Sequence, residues 1–229
     1  SYTTTDKKLA TLYIAEARAL RGMFYFELVR RFGNVVLMTS TQMSNQNPAT
    51  YVQSAPEKVY EYIEDDLLYA CDILPYATDD QYRESNDYRF SKGAALGLLT
   101  KVYATWAGYP VKDESKWEAA AKTARILVES GKHGLLKDYE QLWKNTCNGT
   151  WDPTESLIEI SFYSPTVSGN SDPVGRIGKW NGVKTTAITG VRGSCAANVK
   201  VVHTFVLDWR EDVSDIRRDL SIANYQYTD

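Results

Sequence analysis

Apolar residues recur at steps of three and four from residue 6 to residue 32. Leu9, Tyr13, Ala17, Leu20, Phe24 and Leu28 make one face, and Leu12, Ala15, Ala19, Gly22 and Phe26 a smaller-grained face beside it. This spacing predicts one long helix packed between neighbours, with Gly33 where a helix-stopping residue belongs. Val35-Val36-Leu37 reads as extended chain, and a polar stretch follows from Thr39 to Thr50.

A second helix is predicted from Pro56 to Leu74, with Val59, Ile63, Leu67, Ala70 and Leu74 on its face and Pro75 ending it. Ser54 and Glu57 have the spacing of a capping box. The acidic segment from Thr78 to Tyr88 reads as an exposed loop. A third helix runs from Ser91 towards Gly108, carrying Ala94, Ala95, Leu98, Leu99, Val102, Tyr103 and Trp106. A fourth starts at Ser115, with Glu118 as its capping-box partner, carries Trp117, Ala120, Ala121, Ala124, Ile126, Leu127 and Val128, and stops at Gly131. The short loop between these two helices predicts an antiparallel hairpin. Two helical hairpins in series suggest a tetratricopeptide-like layout without a strict period.

The pattern changes after Cys147. Residues 157 to 162 alternate, with Ile158, Ile160 and Phe162 on one side and Glu159 and Ser161 on the other, which predicts a short half-buried strand. From Ser164 to Ser194 the chain is rich in Gly, Ser, Thr and Asn and reads as a long loop. Residues 197 to 208 read as a further helix, and Asp208 to Asp219 as a dense charge run. The fold class is therefore mainly α. A helical scaffold over 1–147 is followed by a loop-rich segment over 148–229 packed on it, carrying a short strand.

Composition narrows the function. The formal net charge is -3, so no basic field attracts nucleic acid or an acidic membrane. The three cysteines, Cys71, Cys147 and Cys195, are too far apart in sequence for a disulfide framework or metal-ligand spacing. No stretch approaches the ~20 apolar residues of a transmembrane helix, and the opening Ser1-Tyr2-Thr3 carries no export signal, as in a cytosolic, processed or incomplete chain. The 16 Tyr and 6 Trp are many for 229 residues, which suits a surface that stacks on a ligand.

Catalytic chemistry finds few candidates. His133 and His203 are the only histidines. His133, at a helix end, reads as solvated or bonded to a carbonyl, and neither histidine has a partner motif. Glu155 with Glu159, or Asp65 with Asp66, could form an acid pair for glycoside hydrolysis. Glu159 points away from the strand's apolar side, and adjacent helical aspartates diverge, so both pairs read as surface charge. No phosphate-binding loop, dinucleotide fingerprint or zinc spacing occurs. The loop aromatics Trp151, Tyr163, Trp180 and Tyr109 are more informative. Sugar C–H faces stack on flat rings while nearby polar groups bond the hydroxyls. Trp180-Asn181 with Arg176 and Lys179, and Trp151-Asp152, have that composition, although each ring could equally plug a satellite core. The candidate ligand contacts are therefore Trp180, Asn181, Trp151, Asp152, Tyr163 and Arg176.

Several stretches in order resemble one family. Glu16-Ala17-Arg18-Ala19-Leu20-Arg21-Gly22-Met23-Phe24-Tyr25-Phe26-Glu27-Leu28-Val29-Arg30-Arg31-Phe32-Gly33 followed by Val36-Leu37-Met38-Thr39 resembles the signature helix of the SusD/RagB family. Tyr60 to Pro75 resembles its second helix, and Arg89-Phe90-Ser91-Lys92-Gly93-Ala94-Ala95 its R-x-[ST]-K-G-A-A block. Trp117 to Trp143, with His133 and Trp143 replacing the commoner Tyr and Phe, Glu155 to Phe162, and Asp215 to Tyr225 resemble later blocks. These residues build the scaffold. The ligand site of the family varies between members, so no contact residue carries over.

The resemblance implies a helical, non-catalytic protein that needs no cofactor or metal. Such a protein is lipid-anchored at the outer face of the bacterial outer membrane. It captures oligosaccharides, or sometimes peptides, for delivery to a SusC-like TonB-dependent transporter. Members are longer than 229 residues, so the resemblance also implies a piece of a longer chain. Two other readings compete: a helical-repeat adaptor for a protein or peptide partner, and a glycoside hydrolase domain.

Overall fold

The computed structural model describes residues 3–83, 88–160, 180–185, 195–211 and 214–227, apart from the side chains of Gln42, Ser44 and Arg210. Within these residues the protein is mainly helical: α1 (Thr4–Phe32), α2 (Pro56–Ile73), α3 (Lys92–Ala107), α4 (Lys116–Glu129), α5 (Tyr139–Asn148), α6 (His203–Arg210) and α7 (Arg217–Ser221). The chain forms two compact units, residues 1–136 with 151–159, and residues 137–150 with 160–229.

In the first unit each helix packs on its neighbour in sequence. Tyr25 meets Tyr62, Arg21 meets Asp66, and Arg18 lies over Tyr69, so α1 and α2 run antiparallel. Tyr60 stacks on Trp106 while Tyr103 donates to Glu64, which sets α2 against α3 in the same sense. Lys116 sits over Trp106 and Leu127 lies near Gly97, which does the same for α3 and α4. The core is the predicted α2 face, Val59, Ile63, Leu67, Ala70 and Leu74, closed by Ala94, Ala95, Leu99, Val102 and Trp106 of α3.

The faces of α1 are used the other way round from a reading by residue size. The small-grained stripe Leu12, Ala15, Ala19, Gly22 and Phe26 is the buried one. Tyr13 (48% exposed), Leu20, Phe24 (59%) and Leu28 face outward. The reason is distance: a Cβ on Gly22 would stand 3.3 Å from Leu67 Cγ, so small residues let α2 approach closely. Trp117, Ile126 and Val128 of α4 are likewise exposed, and Ala120 and Thr123 make its buried contacts.

Three local expectations are corrected. Ser54 does not cap α2; Ala55 precedes that helix, and Ser54 instead forms an antiparallel bridge with Val35. Ser115 accepts no bond from α4: it already has helical backbone angles, and its hydroxyl donates to Asp113 at 2.5 Å. Residues 157–160 form no strand. Leu157 instead packs against Gly97, Ile158 against the helical core, and Ile160 is exposed. Ser161 and Phe162, the rest of that expectation, lie outside the described residues.

Two buried charge clusters brace the helices. Asp66, 1% exposed, accepts from Arg18 Nε and Arg21 Nε, each at 2.7 Å. It is therefore no surface carboxylate: two α1 arginines reach across the seam and hold it. Glu16 accepts from Arg83 Nη1 at 2.6 Å and from Arg89 Nε at 2.8 Å, tying α1 to the segment before α3.

Candidate functional site

The second unit holds an open recess of about 470 Å³ lined by Tyr139, Phe205, Asp208, Trp209, Asp215 and Arg217. Local sequence rules build it. The Asp138 side chain accepts the Glu140 and Gln141 amides and so starts α5 at Tyr139. The Tyr139 hydroxyl lies 3.1 Å from Ser221 Oγ of α7, and this contact draws the phenol below its ordinary pKa. Phe205 and Trp209, four apart on α6, share a face and meet edge-on with ring centroids 5.4 Å apart.

Asp215 fixes the polar side. It accepts the Trp209 indole N–H at 3.0 Å, Arg217 Nε at 2.8 Å and Arg217 Nη2 at 2.6 Å. Arg217 first, and the indole and backbone bonds with it, hold this carboxyl far below the usual carboxylate range. A carboxylate so held remains ionised and is unsuited to general-acid work. Asp208 has no ion-pair partner among the described residues. The recess thus offers ring faces for C–H stacking and carboxylate acceptors for hydroxyl groups.

The residues singled out from sequence fall in different places. Trp180, 43% exposed, and the exposed Asn181 belong to the second unit; the Trp180 carbonyl accepts the Asn198 amide at 2.7 Å. Trp151 and Asp152 belong to the first unit. Trp151 is partly buried beside Tyr88, with an indole nitrogen that has no partner among the described residues. Asp152 accepts the Thr154 amide at 2.8 Å and so shapes a turn. Tyr163 and Arg176 lie outside the described residues.

The acid pair Glu155 and Glu159 is not assembled as one. Glu155 accepts the Leu136 amide at 2.6 Å, while Glu159 is exposed. His133 is not solvated: its ring lies against Gly93 and 5.8 Å from Tyr76, and both nitrogens are buried without partners among the described residues. Among the described residues no His, Cys, Asp and Glu group could hold a metal, and no helix is long and apolar enough to cross a membrane.

Known proteins of one kind resemble this chain. The SusD-like family described as "Starch-binding associating with outer membrane" matches residues 2–104. A SusD-like protein of Bacteroides ovatus is 29% identical over 182 residues, 75% of this chain and 32% of that relative. The chain is similar to SusD-like proteins along most of its length. A solved laminarin-binding SusD-like protein superposes on 92% of this SusD-like chain and 46% of its own length, with TM-score 0.68 and 26% identity. A crystal structure with xylogluco-oligosaccharide matches 69% of the chain and 30% of its own, with TM-score 0.52 and 32% identity. The SusD-like chain spans about a third of the length of the Bacteroides ovatus relative.

The recess was hard to foresee because its rings come from distant segments. Phe205 and Trp209 at helical spacing, with Asp215 and Arg217 just beyond, were its visible signal, and the dense charges around them masked it.

Proposed function

We propose that this SusD-like chain captures a glycan non-catalytically at the bacterial outer membrane, as part of a lipid-anchored protein that passes it to a SusC-like TonB-dependent transporter. The recess carries this reading: three aromatic rings and two carboxylates line one open cavity. Two similar structures support it, one named for laminarin binding and the other solved with xylogluco-oligosaccharide. Rings set the plane of a bound sugar, and the acceptors choose its hydroxyl pattern. Trp180 and Asn181, accessible in the same unit, are proposed as further contacts. Trp151, Asp152, Tyr163 and Arg176 are retained as subsidiary candidates.

Affinity gel electrophoresis against laminarin and xyloglucan tests the proposal. Phe205→Ala and Tyr139→Ala each weaken retention about three- to ten-fold, the worth of one stacking contact. Unchanged retention in both variants overturns the placement of the site. Release of reducing sugar overturns the non-catalytic reading.

A second reading, an adaptor for a protein or peptide partner, draws on the outward apolar residues of α1, Tyr13, Phe24, Leu28 and Phe32. Pull-down of a peptide with no polysaccharide retention would favour it.

A further inference from the structure

The charges lining the recess carry a statement about which glycans it accepts. We propose that the recess selects neutral glycans and rejects anionic ones, those bearing sulfate esters or uronates; this rests on reading the recess as the glycan site.

Three of the described lining residues are charged: Asp208, Asp215 and Arg217. Arg217 is the cation among them, and it is committed. Its Nε and Nη2 both engage Asp215, at 2.8 and 2.6 Å, one on each carboxylate oxygen. The Trp209 indole N–H shares the same carboxylate at 3.0 Å. A guanidinium held two-to-two on a carboxylate forms a pair of almost no net charge. An incoming sulfate or carboxylate therefore gains little net attraction from it, and the Asp215 carboxylate opposes the approach.

Among the described lining residues, Asp208 is then the uncompensated charge. It is exposed, stands one residue before Trp209 and three after Phe205, and has no ion-pair partner among the described residues. Any sugar stacked on those two rings comes beside it. A neutral sugar can donate a hydroxyl to this carboxylate, a charge-assisted bond. An anionic substituent meets a like charge, which in water-like surroundings at contact distance lowers affinity about five-fold, and less as salt screens it. One group thus favours the hydroxylated ligand and penalises the anionic one.

Backbone-matched polysaccharides separate the two effects. The test is affinity electrophoresis of the protein in hydroxyethylcellulose against carboxymethylcellulose, and in laminarin against laminarin sulfate, at low and high salt. The neutral member of a retained pair holds the protein about five-fold more strongly at low salt, and the gap narrows as salt rises. Asp208→Asn moves the anionic-to-neutral retention ratio about three- to five-fold toward the anionic member. Equal or stronger retention by the anionic member, or a ratio that Asp208→Asn leaves unmoved, overturns the selectivity while leaving glycan capture standing. Retention by none of the four polysaccharides overturns the glycan reading of the recess and this inference with it.

Discussion

Arg21 and Asp66 face each other across the α1–α2 seam with two guanidinium nitrogens on one buried carboxylate, Nε 2.7 Å from Oδ2 and Nη2 2.8 Å from Oδ1. Arg18 Nε takes Oδ1 as well, at 2.7 Å. The two arginines are partly solvated and Asp66 is not, so the consequences of cutting the cluster are asymmetric. Arg21→Ala leaves Asp66 paired with Arg18 and costs about 1 kcal/mol. Replacing both arginines strands a buried charge and costs about 3–5 kcal/mol. Urea unfolding of the single and double variants measures this, and equal costs for one and both would refute it.

Gly93 leaves no room for a side chain. A Cβ there would lie 2.0 Å from His133 Nε2, inside contact distance. Gly93→Ala therefore displaces the imidazole and destabilises the first unit by about 1–3 kcal/mol. Adding His133→Ala to Gly93→Ala restores part of that loss, which thermal unfolding of the three variants reads directly.

The cysteines differ in reactivity because they differ in burial. Burial pushes the Cys71 thiol up to about 12, so almost no thiolate is present at neutral pH. Cys147 is exposed. A disulfide-exchange reagent at neutral pH modifies Cys147 rapidly, Cys195 more slowly, and Cys71 only on unfolding. Peptide mapping of the modified protein identifies the order, and early labelling of Cys71 would contradict it.

Asp215 keeps its hold on Trp209 and Arg217 into acid. Its carboxyl lies below the ordinary value of 3.8 in the folded protein, chiefly through Arg217. A depressed carboxyl contributes stability that is present above its unfolded value and lost as pH falls through its folded one. Tryptophan emission in wild type and Asp215→Asn, followed between about pH 2 and 6, tests this. Wild type keeps its neutral-pH spectrum through and below the ordinary carboxylate value, because the depressed carboxyl stays ionised there. The variant is already perturbed at neutral pH, and a wild-type transition centred on the ordinary value would refute the depression.

Much of the fold was legible because helical periodicity is a local signal. The buried faces of α2 and α3 followed the spacing of Val59, Ile63 and Leu67 and of Ala95, Leu99 and Val102. The orientation of α1 was not legible in this way, since hydrophobic size ranked Phe24 and Leu28 above Ala15 and Ala19. Close packing reversed that order: only the small residues let α2 approach. The exchange of Ser54 from cap to bridge turned on its pairing with Val35, which a short window cannot see. The recess was the least legible part. Tyr139 is separated by more than sixty positions from Phe205, and the pairing of Arg217 with Asp215 looked like any solvated charge run.

The segment 151–159 returns to the first unit after the chain has begun the second. There Leu157 meets Gly97, the Thr154 carbonyl takes the Gly134 amide at 3.0 Å, and Glu155 takes that of Leu136. No single cleavage point can therefore liberate either half intact. A shortened polypeptide ending at residue 136 would bare a stripe of α3 and strand two amides, so expression work on the helical half has to carry the returning strap or graft it back by a new connection.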